Sequence, residues 1–275
     1  MTLSIITINY NNRGGLQKTI DSVLAQTWTD YEWIVIDGGS TDGSRELIEQ
    51  YKEHFAYWCS EPDRGVYHAM NKGIAKAHGE YLNFMNSGDT FYEAETLNAI
   101  FSKKRIGDIL YGDCMKVFEH HKELLCYPHL IEIYTLFGRT ICHQAMMIRR
   151  LLLKDSGYDE SYKICADYKH LLEMTLKGAT FEHVGVTVCQ YDMSGISSNN
   201  NKQFQQEWNE VQHVLPETIR LSMVHLNGYA GSRHTVRARL LLERGGCVSL
   251  LTKVILALFD KLFIKKDFTK YPYCD

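Results

Sequence analysis

Proline is scarce in this chain, with 4 residues in 275. That excludes collagen-like and proline-rich linker architectures. Charge imbalance is equally slight. Thirty Lys and Arg against 33 Asp and Glu leave a net charge of −3. No global basic field exists of the kind that dominates nucleic-acid binding, so no nucleic-acid partner is expected. No run of about 20 uninterrupted apolar residues occurs, as a membrane-spanning helix would need. The start, Met1-Thr2-Leu3-Ser4, has no basic region ahead of its short apolar run and does not read as a secretory signal. None of the 8 cysteines forms a C-x-x-C pair, and no His stands at zinc-finger spacing from them. A zinc-stapled domain is therefore not expected, and buried free thiols of a cytoplasmic protein fit better.

What is present is an ordinary globular composition, with 45% hydrophobic and 23% charged residues. This excludes whole-chain disorder and allows one large domain, or one domain plus an accessory segment. The first half alternates strand and helix signals. Leu3 to Ile8 is short and β-branched, as a buried strand should be. Gly14 to Gln26 carries Leu16, Ile20, Val23 and Leu24 at helical spacing. Tyr31 to Asp37 reads as a second strand, Phe55 to Cys59 as a third, Tyr81 to Met85 as a fourth and Asp108 to Tyr111 as a fifth. Helices are predicted between them, one over Gly65 to His78 with Gly79 as its stop. Strand-like pieces at Cys142 to Ile148 and Thr180 to Tyr191 flank a helix at Cys165 to Lys177, as a mixed extension of the sheet would require. The β-α-β rhythm predicts an α/β fold, a mostly parallel sheet flanked by helices. Such sheets bind ligands beyond the carboxyl ends of their strands. The residues to watch are then Asn9-Tyr10-Asn11, Asp37-Gly38-Gly39, Glu61-Pro62-Asp63-Arg64 and Asn86-Ser87-Gly88-Asp89.

These stretches carry a resemblance. Ser4 to Asn11, the run Val35-Ile36-Asp37-Gly38-Gly39-Ser40-Thr41-Asp42-Gly43, then Asn71-Lys72-Gly73-Ile74, Gly79-Glu80-Tyr81 and Asn86 to Asp89 are similar to glycosyltransferase family 2 with its GT-A fold. The similarity covers about the first 195 residues. It implies a catalytic domain over residues 1–200 and leaves a helical extension over 201–275.

The family implies an inverting transferase that takes a sugar from a nucleotide sugar, most simply a UDP-sugar. By resemblance Asp37 contacts the base, and two glycines after it let backbone approach a ligand. Thr7, Asn9, Asn11 and Gly38 line the same slot. Asp63 and Arg64 follow the third strand, where an Arg fork suits phosphate oxygens. The family's Arg before the N-x-G motif is Met70 here, so either Arg64 or Lys72 supplies that charge. Members hold Mg²⁺ or Mn²⁺ through an acidic D-x-D cluster, and here only Asp89 of the aligned residues is acidic. Gly157-Tyr158-Asp159-Glu160 and Cys165-Ala166-Asp167-Tyr168 resemble the acceptor-side motif. That makes Asp167 the expected base, its anion favoured at a helix N-terminus. Asp159 and Glu160 shape the loop before it. His143, Gln144 and Asp113 are expected near the donor sugar or acceptor. Each of these residues also has a plain structural reading, as a turn carboxylate, a helix-end charge or a satisfied histidine.

Gly195-Ile196-Ser197 resembles a lid after the catalytic region. The apolar, Lys-dotted stretch from Leu250 to Lys266 reads in two ways. It packs on the domain or on a second copy in a homo-oligomer, or it lies at the inner face of a membrane as a basic amphipathic helix. The expected acceptor is a saccharide or a lipid-linked glycan in polysaccharide or glycolipid synthesis. Two rivals stand beside this reading: an inactive nucleotide-sugar-binding scaffold, and a nucleotidyltransferase. The second lacks a P-loop Lys in Asn11-Asn12-Arg13-Gly14-Gly15.

Overall fold

The structure is a computed structural model that describes residues 1–194 and 201–229. They fall into two compact units, Met1–Val214 and the part from Leu215 onward.

The first unit is built on a nine-stranded mixed sheet with helices between the early strands. Strand β1 (Leu3–Asn9) is buried along its whole length, which explains its run of branched apolar residues rather than an alternating pattern. It pairs in parallel with β2 (Tyr31–Asp37) on one side and β4 (Tyr81–Phe84) on the other, and β2 pairs in parallel with β3 (Tyr57–Ser60). Register decides what meets at the rim. Asn9 stands opposite Asp37, and Asp37 opposite Ser60. Beyond β4 the pairing continues: the Met85 amide donates to the Ile6 carbonyl and the Ser87 amide to the Ile8 carbonyl. Residues 86–89 therefore emerge beside Asn9 on the same edge.

Helix α1 (Arg13–Leu24) starts at Asn12, whose side chain accepts from the Gly15 amide. A side chain at Gly15 would collide with that cap. Leu16, Ile20 and Val23 form its buried face. Helix α2 (Ser44–Gln50) and helix α3 (Val66–Lys76) complete the crossovers. Gly73 lets α3 lie directly on Ile6, where a Cβ would come within 2.4 Å of that side chain. The expected stop at Gly79 has a different cause. The helix ends at Lys76 with Ala77 already extended. Gly79 is needed because a Cβ there would stand 2.5 Å from the Ser4 amide nitrogen, where the chain crosses β1.

The second half of the sheet is mixed. After β5 (Thr90–Phe91) and helix α4 (Thr96–Phe101), strand β6 (Ile109–Val117) pairs with the hairpin partner β7 (Lys122–Leu125). Helix α5 (Ile133–Gly138) follows. Strand β8 (Met146–Arg149) runs antiparallel to both β4 and β6. Short helix α6 (Arg150–Leu153) and helix α7 (Ala166–Leu176) lead into β9 (Phe181–Asp192), parallel to β6. The strand predicted over Cys142 to Ile148 begins instead as a 3-10 turn, His143–Ala145. Asn83 of β4 causes this. Its buried amide donates to the carbonyls of Gln144 (3.0 Å) and Met146 (2.8 Å), which holds the turn closed.

Helix α8 (Asn201–Val211) belongs to the first unit. Its Glu207 accepts from the amides of Lys163, Ile164 and Cys165, the last residues before α7. In the second unit, helix α9 (Glu217–Tyr229) begins directly after Pro216, as the proline predicts. The lid expected at Gly195 to Ser197 and the amphipathic stretch at Leu250 to Lys266 lie outside the described residues.

Candidate active site

The rim formed by β1, β2 and β3 carries the first cluster. Asp37 is fully buried. Asn9 Nδ2 donates to its Oδ1 (2.7 Å), Ser60 Oγ to its Oδ2 (2.6 Å), and Ser40 donates through both amide and hydroxyl. Burial pushes the Asp37 carboxyl up, but these four hydrogen bonds outweigh it and hold it below the ordinary carboxylate range. Both oxygens are thus spent on knitting three strand ends and the loop after β2. Asp37 supports the slot rather than facing a ligand, which differs from its expected contact with a base. Thr7 differs too. It is fully buried and accepts from the Trp33 indole at 3.0 Å, so it does not line the slot. Asn11 adopts a left-handed backbone (φ 47°) and ties the loops after β1 and β2, accepting from Thr41 and donating its amide to Ser40.

Gly38, next along the chain, is buried. A Cβ there would stand 3.1 Å from both Asp63 Oδ2 and the Tyr10 ring. The sequence offers no such neighbourhood, because Asp63 follows β3 and Tyr10 follows β1. Tyr10 is 67% exposed, a large aromatic face beside a backbone without a side chain. Asp63 pairs with Lys72 at 2.6 Å, and Lys72 also meets Glu61. Of the two candidates for a phosphate charge, Lys72 is therefore held by two carboxylates. Arg64 is 71% exposed and pairs with Glu160.

The second cluster forms where β4 ends. The Cys142-His143-Gln144 turn reaches two carboxylates at once. His143 Nδ1 lies 3.0 Å from Asp167 Oδ2, and Gln144 Nε2 donates to Asp89 Oδ2 at 2.8 Å. His143 Nε2 in turn lies 3.0 Å from Asn86 Nδ2. Asp167 sits in the first turn of α7 and has two further polar neighbours: its Oδ1 accepts from the Tyr168 amide (2.8 Å) and lies 2.9 Å from the Tyr67 hydroxyl, whose single proton is shared with the Ile164 carbonyl. Burial raises the Asp167 carboxyl, but His143, Tyr67 and the Tyr168 amide prevail and lower it. Burial lowers His143, and its hydrogen bond to Asp167 and the charges of Asp167, Asp89 and Cys142 raise it above the usual imidazole value.

Asp89 is 4% exposed, and its Oδ1 accepts from the Asp192 amide at 2.9 Å. Burial pushes its carboxyl up to about 7 against the hydrogen bonds from Asp192 and Gln144. Both oxygens are taken. Asn86 and Gly88 offer no carboxylate, and no group of three or more acidic, His or Cys side chains able to hold a metal occurs among the described residues. The Mg²⁺ or Mn²⁺ that the resemblance implies would have as its acidic neighbours Asp89, which Gln144 and Asp192 engage, and the Asp192 carboxylate beside Gly88, with phosphate and water completing its shell. Asp113, expected near the donor, accepts from the Tyr127 amide on the β6 side of the sheet. Asp159 pairs with Lys169, and Glu160 bonds Arg64 and Asn71. Asn71 also clasps Tyr158 through its amide and carbonyl, so the N-x-G motif fixes the loop that leads to α7. Sequence reasoning missed Tyr67, and it named Tyr10 and Asn71 within their motifs without a role for either. The aromatic side chains close to motif residues were the available signal.

Three buried polar atoms along this rim, Asn9 Oδ1, Asn86 Oδ1 and Ser87 Oγ, have no protein partner among the described residues. Buried groups of this kind call for an explanation, and a polar ligand supplies one.

The comparisons agree with this architecture. The model of glycosyl transferase family 2 matches residues 4–154, and the chain belongs to that family. It is a glycosyltransferase. An uncharacterized glycosyltransferase of Mycobacterium tuberculosis is 34% identical over 72% of this chain and 78% of its own length. A PGL/p-HBAD biosynthesis glycosyltransferase of Mycobacterium bovis is 31% identical over 71% and 78%. Among solved structures, S. aureus TarS residues 1–349 in complex with UDP aligns with a TM-score of 0.65 at 18% identity, over 92% of this chain and 77% of that one. A mannosyltransferase, PcManGT from Pyrobaculum calidifontis, in complex with GDP-Man and Mn²⁺, aligns at 0.60 and 16% identity, over 94% and 79%. These structures share the fold. Among the described residues no helix is long and apolar enough to cross a membrane.

Proposed function

We propose that the chain transfers a sugar, with inversion, from a UDP-sugar to a hydroxyl of a saccharide or lipid-linked acceptor. One observation carries the reading. Gly38, with Tyr10 and Asp63 beside it, follows β2 at the rim where β1 and β4 also end, and there Asn86 meets His143, which meets Asp167. A ligand with an aromatic base at one end and a reacting carbon at the other matches that layout. Asp63 offers an acceptor for a uracil N3–H, and the Tyr10 ring offers a stacking face. UDP bound to TarS supports the donor class, and the PGL/p-HBAD biosynthesis named for the M. bovis relative supports a role in building a glycosylated product.

The chemistry asked of the protein is modest. An acceptor hydroxyl attacks the anomeric carbon as the bond to the diphosphate breaks. The hydroxyl proton needs one base on the side opposite the leaving group. A single displacement inverts the centre. The carboxylate of Asp89, sealed by Gln144 and Asp192, is not placed to act as a nucleophile for a double displacement.

The test is a binding screen of UDP, GDP and dTDP by calorimetry, then product analysis with the best donor. The reading expects UDP to bind tightest and the product anomer to be opposite to the donor's. Retained configuration, or no binding of any of the three, would remove it. The same titration with and without Mn²⁺ decides whether a cation joins the diphosphate.

A further inference from the structure

We propose that Glu207, on α8, is a positioning residue for Asp167, acting through the Ile164–Cys165 peptide and the Tyr67 hydroxyl. The inference rests on the sugar-transfer reading, with Asp167 as the base that takes the acceptor's proton, and deepens it.

Helix α7 starts without a side-chain cap of its own. Its N-cap residue is Cys165, whose side chain makes no capping hydrogen bond. Ser, Thr, Asp or Asn usually serves there. The three residues leading into the helix are held instead from a later element of the chain. Glu207 Oε1 accepts from the Lys163 amide at 3.0 Å, and its Oε2 accepts from the amides of Ile164 (2.8 Å) and Cys165 (3.0 Å). Gln203, one turn earlier on α8, donates its side-chain amide to Oε1 at 3.0 Å. Glu207 is 6% exposed. A carboxylate so far from water is costly unless hydrogen bonds meet its charge, and these N–H groups do so. Three of them are successive backbone amides, so one side chain fixes the whole run from Lys163 to Cys165.

That grip reaches Asp167 through one peptide unit. The N–H between Ile164 and Cys165 donates to Glu207, and the carbonyl of the same unit accepts from the Tyr67 hydroxyl. This hydroxyl also lies 2.9 Å from Asp167 Oδ1. A phenol has one proton to give. With the peptide held as it is, Ile164 competes for that proton, and Asp167 keeps more of its basicity. A turned peptide would leave the proton to Asp167 alone, and a carboxylate that accepts a full hydrogen bond is a weaker base.

The other flank of Asp167 is held from the same helix. Trp208, next to Glu207, stacks on Tyr168 with 4.0 Å between ring centroids and 9° between planes. Two adjacent residues of α8 thus grip α7 on both sides of Asp167, whose Oδ2 faces His143. In the step this serves, the acceptor O–H gives its proton to Asp167 as its oxygen bonds the anomeric carbon. The bond from that carbon to the diphosphate oxygen breaks, and its electron pair leaves with the nucleoside diphosphate. The carboxylic acid then loses its proton to solvent.

The test is Glu207→Gln, which keeps the shape of the side chain but turns an NH₂ toward the backbone amides. Hydrogen exchange read by mass spectrometry should show protection of the stretch from Lys163 to Cys165 in the parent and its loss in the variant, with β2 unchanged. Release of UDP from UDP-glucose or UDP-N-acetylglucosamine, with water or added sugar as acceptor, should fall by about 10- to 100-fold per UDP-binding site, with UDP affinity within about twofold. A merely structural role would lower stability and leave turnover per folded molecule alone. In the Asp167→Asn background the same substitution should change the residual rate by less than about twofold, because a residue that acts through Asp167 has nothing left to act on. Gln203→Ala, a milder change at the same carboxylate, should follow this pattern with a loss of about two- to fivefold, and it decides the matter if Glu207→Gln does not fold. Undiminished turnover in the folded variants, an equal loss with and without the Asp167 carboxylate, or free exchange of these amides in the parent would overturn the proposal alone. A parent that releases UDP from no sugar donor would defeat the sugar-transfer reading beneath it.

Discussion

The two ends of the rim are built differently. At the nucleotide end, Asn9, Asp37 and Ser60 meet because three parallel strands are in register, and a short loop supplies Ser40. At the reacting end, Asn86, His143 and Asp167 come from a strand end, a 3-10 turn and a helix start, with 57 and 24 residues separating the bonded pairs. One cluster follows from sheet geometry and the other from tertiary packing. The first should therefore fail by loss of stability, and the second by loss of turnover in a folded protein.

The largest effect should come from the reacting end. Asp167→Asn should lower sugar transfer by about 10³-fold or more while UDP still binds. Steady-state kinetics beside calorimetry would show a fall in kcat with little change in affinity. Asp37→Ala should do the reverse. It leaves the donors of Asn9, Ser40 and Ser60 without their acceptor and should cost about 2–4 kcal/mol. Thermal or urea unfolding would read this as a clear drop in Tm or midpoint. The Asp37 carboxyl is lowered by folding, so its contribution is present above the unfolded pKa and is lost as the pH falls through the still lower folded value.

Asp89 tests the boundary between the two clusters, and its sign is opposite. Its folded pKa is raised to about 7 from 3.8. Stability from this group is complete below the unfolded value and declines as pH rises toward 7. Asp89→Asn should flatten that decline and raise Tm at pH 8, with a gain in unfolding free energy of about 1–3 kcal/mol once the hydrogen bonds from Gln144 and Asp192 are allowed for. A Tm that falls with the substitution at pH 8 would show that the ionised form is the one the fold needs. The smallest effect is expected at Asn86. Asn86→Asp sets a carboxylate against His143 Nε2 and favours the protonated ring. Turnover at pH 7 should fall by about tenfold, with a shifted pH–rate profile. An unchanged pH–rate profile would separate Asn86 from the imidazole.

The sequence shows the two ends with unequal clarity for the same reason. Strands β1 and β2 are legible because buried parallel strands are runs of branched apolar residues, and the Asp-Gly-Gly that ends β2 marks the slot at once. Helix α7 is legible from its spacing, and so is Asp167 in its first turn. The turn at His143 is not, because Cys142 to Ile148 has the composition of a strand. Only the buried amide of Asn83, sixty residues earlier in the chain, closes it. Thr7 shows the limit of pattern reading within one strand. It lies two residues before Asn9 and faces the same side, yet the Trp33 indole covers it. Likewise the acid beside Gly38 is Asp63, brought there by the loop after β3 rather than by the strand that precedes the glycine.

The most direct measurement is calorimetric binding of UDP to Gly38→Val and His143→Gln, each checked for an intact unfolding transition. A side chain at Gly38 would push Asp63 and Tyr10 aside and should abolish binding in the first variant, while the second binds like the parent and turns over poorly. UDP binding to folded Gly38→Val with undiminished affinity would contradict a nucleotide slot at this rim.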